Sequence, residues 1–360
     1  MVSSRRQLVL VVPDLLWGNP GPFHPAANLR LPALERLLAR AQSPSQSADI
    51  VEGNPGHYGL LTTLFQLFQV QLNSGELPVA AVTYGLDSGD SQPGWWMRAD
   101  PVHLRADIDR LRIFDQRLLG LTPGEAHRLV AELAPLYQAS GARLVAFHPE
   151  RWYLHLPTPP RLGTSPLPAI HGRDVRPYLP TGPDGRIWQI RLNEGQMQLH
   201  TSAVNVERER RGLLTVNSLW FWGEGYTPTL PTSPFSQVWS HHPLARGLGR
   251  LSGTPTQGCP VDGEDWLTRG DSSGCHLVVL DNLLDLPEIG EYESWANNLV
   301  KLEQSWFDPL LTALGRQGFS KITLHPCPSP ARYLTTTRLY HWWRRQRPLL
   351  HYLAQSYPER

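Results

Sequence analysis

Residues 7–12, QLVLVV, form a continuous apolar, β-branched run. A strand without polar alternation has both faces covered, as in a parallel sheet with helices on either side. Pro13 closes the run and Asp14 follows it. Basic residues precede it, as in a signal peptide, but LVLVV is too short for the apolar region of one. No other apolar segment approaches bilayer length. The first constraint is therefore an α/β protein with a buried strand at its start, expected in the cytoplasm.

The next segments support that class. LPALERLLARA (31–41) has Pro32 in its first turn and leucines recurring at three and four, which predicts a helix. GNPGHYGLL (53–61) is a turn entering a second helix, LLTTLFQLFQVQL, and LPVAAVTYG (77–85) reads as a second buried strand. Strand, helix and strand together predict a parallel-rich sheet flanked by helices. The 360 residues and 41% hydrophobic content allow one large domain with an insertion.

The pattern changes after Asp87. SGDSQPG (88–94) has linker composition, and WWMRADPVHL and RLRIF read as antiparallel strands. Thr122, Pro123 and Glu125 form a capping box opening a helix, and RLVAFHP with RWYLHL reads as a hairpin. A Pro- and Gly-rich run (157–186) precedes an expected helix over 194–211 and a strand at 213–223, LLTVNSLWFWG. HLVVLDNLLD (276–285) and KITLHP (321–326) are further strands, separated by one long amphipathic helix over 293–318. The expected division is a core of residues 1–87 and 213–360 with an inserted α+β lobe at 88–212.

Charge and cysteine usage narrow the partners. Thirty-three Lys and Arg against 32 Asp and Glu give a net charge of +1. That balance predicts neither a nucleic acid nor a membrane partner. The three cysteines, Cys259, Cys275 and Cys327, form no CxxC and no even framework, so reduced thiols are expected. His241 and His242 lack a third ligand at metal-like spacing. No GxGxxG, P-loop or zinc signature occurs.

Several stretches resemble the archaeal-type cofactor-independent phosphoglycerate mutases of the alkaline phosphatase superfamily. LPALERLLARA resembles the helix after that family's first metal-binding aspartate. Residues 98–104 (RADPVHL), 122–130 (TPGEAHRLV) and 147–156 (FHPERWYLHL) resemble its inserted domain. Residues 200–231, HTSAVNVERERRGLLTVNSLWFWGEGYTPTLP, resemble its most specific segment, and VVLDNLLD (278–285) with the 301–314 helix resembles its late metal-binding stretch. The nearest likeness is to a bacterial branch labelled RpfE-type regulatory protein. The resemblance implies an alkaline phosphatase-like core with an inserted lobe, and phosphoryl transfer through a metal-activated serine.

The expected chemistry is incomplete. Asp14 matches the first aspartate. PGHYGLL aligns with the nucleophile segment, so His57 stands where the serine belongs and Tyr58 replaces an aspartate. Asp281 or Asp285 keeps one later ligand position, and only His325 remains in TLHPCPSP (323–330). Asp14, His57, Asp281 and His325 are thus remnant positions with no confident catalytic residue, no cofactor and no metal expected. His57 reads either as a phosphohistidine nucleophile or as a hydrogen-bonded turn residue.

The resemblance also implies an anion-gripping surface. It assigns Arg98, Arg105, Arg151, Asn205, Arg208 and Asn217 to ligand binding, because a guanidinium fork suits phosphate and carboxylate. The competing reading pairs Arg98 with Asp100, pairs Arg208 with Glu207 or Glu209 at the surface, and has the asparagines satisfying backbone groups. The expected function is a degenerate, non-catalytic pseudoenzyme, regulatory or binding a small phosphorylated or carboxylated metabolite or a protein partner. The alternative is an active mutase or phosphatase.

Overall fold

The computed structural model describes residues 5–18, 24–42, 59–71, 77–90, 92–107, 110–114, 116–138, 141–170, 173–271, 273–287, 290–316, 318–327, 331–339, 341 and 343–356. In chain order the strands are β1 (Arg6–Val11), β2 (Trp95–Ala106), β3 (Leu111–Phe114), β4 (Arg143–His148), β5 (Arg151–Leu156), β6 (Ser218–Tyr226), β7 (Gln237–Trp239), β8 (Thr256–Gln257), β9 (Cys275–Val279), β10 (Phe319–His325) and β11 (Arg332–Thr335). The chain divides into two compact units, Met1–Gln69 with Leu230–Arg360, and Val70–Thr229.

The first unit is an α/β layer. Its six strands lie in the order β11-β10-β1-β9-β7-β8, all parallel except edge strand β11. β1 is central and buried apart from Gln7, in accord with its unbroken apolar run. Its parallel neighbours come from the last third of the chain: Val11 lies opposite Val279 of β9 and His325 of β10. Leu8 and Leu10 pack in one core with Leu34 and Leu37 of helix Pro32–Arg40 and with Trp306 and Phe307.

The segment 77–85 is a helix, Val79–Ser88, rather than a strand. Its residues 79–85 are buried throughout, and a short apolar run does not reveal its own period. Ala80 and Ala81 favour the helical choice. The helix packs on β2 and β6, so it belongs to the second unit. The boundaries expected at 87 and 213 accordingly fall at 69/70 and 229/230.

The second unit is an antiparallel sheet, β3-β2-β5-β4, with β6 also paired to β2. β6 runs beside most of β2, while β5 pairs residues 95–98 and β3 pairs 103–106. Pro101, which has no N–H to donate, sits where β2 changes partner on that side. Trp95, Met97 and Ala99 face a core with Leu129, Leu133 and Trp188. Trp96 on the other face joins Tyr84, Ala80 and Tyr153. Gly223 of β6 has φ +66°, and a Cβ there would approach the Cβ of Val79 to 3.1 Å, so the close helix–strand contact requires glycine. The capping box forms as expected: Thr122 Oγ1 accepts from the N–H of Glu125, and Glu125 Oε2 accepts from the N–H of Thr122. The helix expected over 194–211 is two, Gly185–His200 and Ala203–Arg210, because Ser202 caps the second with its hydroxyl.

The long C-terminal helix is also interrupted. Tyr292–Leu302 continues as a π-turn, Glu303–Phe307, and then as Asp308–Ala313. Pro309 cannot donate a helical hydrogen bond and crowds the carbonyl four residues earlier, so the preceding turn widens. The Asp308 N–H then reaches the Glu303 carbonyl, five residues back. The wide turn carries Glu303, whose carboxylate accepts from the N–H groups of Ala33 (2.6 Å) and Leu34 (3.0 Å). Leu31 gives helix Pro32–Arg40 no side-chain cap, so Glu303 supplies it from across the core. Burial pushes its pKa up, against the pull of those two donors. Replacing Glu303 with Ala leaves both donors buried and unsatisfied and should destabilise the protein by about 2–3 kcal/mol. Urea unfolding measures this, and a loss under about 0.5 kcal/mol would rule out the capping role.

Candidate functional site

Parallel sheets gather side chains beyond the carboxyl ends of their strands. Three remnant positions lie there in the first unit. Asp14 follows β1 with φ 57°, and Asp285 follows β9 with φ 61°, both in the left-handed region. Aspartate tolerates that region better than most residues, but two such residues beside each other mark local strain. The two are tied directly, since the N–H of Asp285 donates to Asp14 Oδ2 at 2.9 Å. The Asp14 N–H donates to the Cys327 carbonyl, and its own carbonyl accepts from Trp295 Nε1 at 2.9 Å.

His325 closes β10, and its carbonyl accepts from the N–H of Val12. Burial lowers its pKa to about 4. The buried thiol of Cys327 donates to Thr63 Oγ1 at 3.2 Å. Its pKa is pushed up to about 12, first by burial, with Asp14 adding to the rise. At neutral pH both groups are uncharged. Asp281 instead lines a separate cavity of about 300 Å³ with Cys259 and Lys301. His57 and Tyr58 lie outside the described residues.

The family resemblance implies two divalent metals, and the described residues do not fit them. Hard cations need several carboxylate or histidine ligands at one point. Among the described residues no three His, Cys, Asp or Glu side chains are grouped to hold a metal ion. Asp14 bonds to a backbone N–H, and the thiol beside it is neutral.

The proposed anion-binding residues belong to the second unit. Arg98 Nε donates to Asp100 Oδ1 at 2.8 Å, and the pair is almost fully buried. The guanidinium lies over the rings of Tyr153 and Trp222. Asp100 also accepts from Trp222 Nε1 at 2.7 Å, while burial, the largest influence, raises its pKa. Arg151 makes a bidentate pair with Asp87, both bonds 2.7 Å, and Tyr153 Oη donates to the same carboxylate. Burial raises the pKa of Asp87, but Arg151 outweighs it and the net shift is down.

Arg208 has no exposed side-chain surface. It donates to the carbonyls of Leu214 and Leu119 and pairs with Glu125, not with Glu207 or Glu209. Asn205 bridges the carbonyls of Leu199 and Val216 and the N–H of Val216. Asn217 holds the N–H and carbonyl of Leu104. Arg105 is exposed, opposite Arg112 across β2 and β3. Trp220 and Trp222 are buried. Arg98, Arg151, Arg208, Asn205 and Asn217 thus each have hydrogen-bond or ion-pair partners inside the fold.

Sequence reading missed Asp87, Tyr153 and Cys327. Asp87 was hidden by the strand reading of 77–85. Arg98 and Asp100 carried a signal, since residues two apart on a strand share a face.

Comparison with known proteins follows this geometry. No family model matches the chain. The 2,3-bisphosphoglycerate-independent phosphoglycerate mutase of Methanosarcina acetivorans is 27% identical over 240 residues, 62% of this chain and 57% of that protein. The Methanosarcina mazei enzyme of the same name is 26% identical over 207 residues, 55% of this chain and 49% of that protein. The chain thus spans about half the length of the curated relatives it matches. Two solved structures are also similar. The cofactor-independent phosphoglycerate mutase of Thermoplasma acidophilum has TM-score 0.45 at 18% identity, covering 93% of this chain and 90% of its own. The PH0037 protein of Pyrococcus horikoshii has TM-score 0.49 at 11% identity, covering 92% and 87%. By sequence, the chain is similar to the 2,3-bisphosphoglycerate-independent phosphoglycerate mutases of Methanosarcina.

Two outcomes test the site's electrostatics. Truncating Asp100 to Ala leaves Arg98 buried without its carboxylate and should cost about 3–5 kcal/mol. Replacing the pair together, Arg98→Met with Asp100→Leu, should recover most of that in urea unfolding; equal losses would show that the pair is not coupled.

The second outcome concerns pH. His325 titrates lower in the folded chain than unfolded, so folding releases its proton between about pH 6.5 and 4. Stability should fall as pH drops through that window, by on the order of 2–3 kcal/mol from this residue. His325→Gln should lose correspondingly less between pH 7 and 4, and parallel stability curves would refute the assignment.

Proposed function

We propose that this chain is a phosphoglycerate mutase-like protein without phosphoryl-transfer activity, which acts by binding. Its target would be a small phosphorylated or carboxylated metabolite, with a protein partner as the regulatory extension. The observation that supports this most is the environment of Asp14. The carboxylate matching the family's first metal ligand is hydrogen-bonded to the Asp285 backbone, beside a neutral thiol. Phosphoryl transfer needs charge neutralisation on the phosphoryl oxygens, and among the described residues no three His, Cys, Asp or Glu side chains are grouped to hold a metal ion that would supply it. The proposal carries with it the RpfE-type regulatory assignment and a cytoplasmic location. No described helix is long and apolar enough to cross a membrane.

A second reading, an active mutase or phosphatase, is supported by the likeness to curated mutases. One experiment separates the two. The purified chain is incubated with 3-phosphoglycerate, and separately with p-nitrophenyl phosphate, in Mn²⁺ and in Mg²⁺. Phosphorus NMR and absorbance then follow product. We expect no 2-phosphoglycerate and no p-nitrophenol above the protein-free control. Metal-dependent turnover that disappears in Asp14→Ala would overturn the non-catalytic reading.

A further inference from the structure

The carboxyl edge of the first unit's sheet carries a second feature, apart from Asp14 and His325. The loops that leave β7, β8 and β9 bring His241, Cys259 and Asp281 to one cavity of about 300 Å³. Another wall is the interrupted helix Tyr292–Ala313, which contributes Asn298, Lys301, Leu302, Ser305 and Trp306. These positions recur at three and four residues, so they form one face of that helix. Two of them, Ser305 and Trp306, lie in the π-turn Glu303–Phe307. π-turns are rare and frequently accompany functional sites.

The cavity is charged in a specific way. Asp281 presents a carboxylate from the loop after β9, and Lys301 an ammonium group from the facing helix. Neither has an ion-pair or hydrogen-bond partner for its side chain among the described residues. Leu302 and Trp306 supply apolar lining, and both are buried. Asn298 is held in place by donating to the Asn282 carbonyl at 2.9 Å.

A metal does not account for this lining, because His241, Cys259 and Asp281 are not grouped as one would require. A thiolate nucleophile does not either. Burial, and then the charge of Asp281, push the Cys259 thiol up to about 12. A purely anionic ligand would meet Asp281, and a purely cationic one would meet Lys301.

We infer that the cavity binds a small zwitterion, an α-amino acid with an apolar side chain. Its ammonium group would face Asp281, its carboxylate Lys301, and its side chain Leu302 and Trp306. The volume equals about ten water molecules, enough for an amino acid of leucine size. Charge-assisted bonds at both ends make the ligand's polar groups worth removing from water, while the apolar wall selects the side chain. This inference is independent of whether the chain turns over phosphoglycerate.

The test is thermal unfolding and titration calorimetry of the full chain with L-leucine, L-methionine and the other common α-amino acids. Isovalerate and isoamylamine serve as the acid-only and amine-only halves of leucine. We expect an apolar amino acid to raise the melting temperature and both halves to fail at the same concentration. Asp281→Asn and Lys301→Gln should each weaken binding at least tenfold. These side chains make no hydrogen bond or ion pair among the described residues, so both variants should stay close to the wild-type melting temperature without ligand. Absence of binding by every amino acid, equal binding by either half, or binding unchanged in both variants would overturn the assignment.

Discussion

The first unit depends on one buried carboxylate. Helix Pro32–Arg40 follows the central strand but begins without a side-chain cap, and its first N–H groups point into the core. Glu303 meets them from a helix about 270 residues later in the chain. That reach exists because the helix widens into a π-turn before Pro309. A regular helix would rotate Glu303 away from this position, since each residue advances about 100° around the axis. The proline that breaks the helical ladder thus fixes the contact between the two ends of the chain. The net upward shift of the Glu303 pKa shows that desolvation exceeds the gain from the two donors. The cap acts through the orphan donors it satisfies and the geometry it sets, not as a favourable ion in itself.

The same preference for internal satisfaction runs through the second unit. Asp100 is fully buried and raised, Asp87 is lowered, and both are held by arginines that resembled ligand-binding groups. A guanidinium available to a metabolite keeps donors unfilled in the free protein. Arg98 has its Nε and one terminal nitrogen on Asp100, and its guanidinium lies over the Tyr153 and Trp222 rings. Arg208 donates to the Leu214 carbonyl in the turn after its own helix and to the distant Leu119 carbonyl before helix Pro123–Gln138. These are arrangements that fix strands and turns.

The legibility of the fold follows from where a local signal had only one solution. The run at 7–12 was β-branched, short and closed by Pro13, which favours a buried strand over a helix, and Thr122, Pro123 and Glu125 form a capping box that starts a helix. Antiparallel β2–β3 and the β4–β5 hairpin were visible as alternation and spacing. Residues 77–85 were not, because Val, Ala and Tyr buried on every side satisfy a helix and a strand alike. The π-turn left no trace in composition beyond Pro309, and its position depends on Glu303 finding helix Pro32–Arg40. At the site, Asp14 and His325 were legible because both follow apolar strands. Cys327 was not, since a cysteine after a strand has no characteristic pattern. The split between Asp281 and Asp285 was also invisible: four residues apart, they turn to different places, one into the cavity beside Lys301 and one to Asp14.

That split bears on how a sheet edge changes use. Asp285 adopts left-handed φ and gives its backbone N–H to the Asp14 carboxylate. The strain of two left-handed residues, of order 1–3 kcal/mol each, is held by the Cys327 carbonyl and the Trp295 indole around them. Four residues before Asp285, Asp281 lines a cavity with Lys301 and Trp306 of the widened helix. Beyond β7, β8 and β9, the Asp281 carboxylate and the Lys301 ammonium group have no hydrogen-bond or ion-pair partner among the described residues. Asp281 and Lys301 thus bring opposite charges to one cavity at this edge.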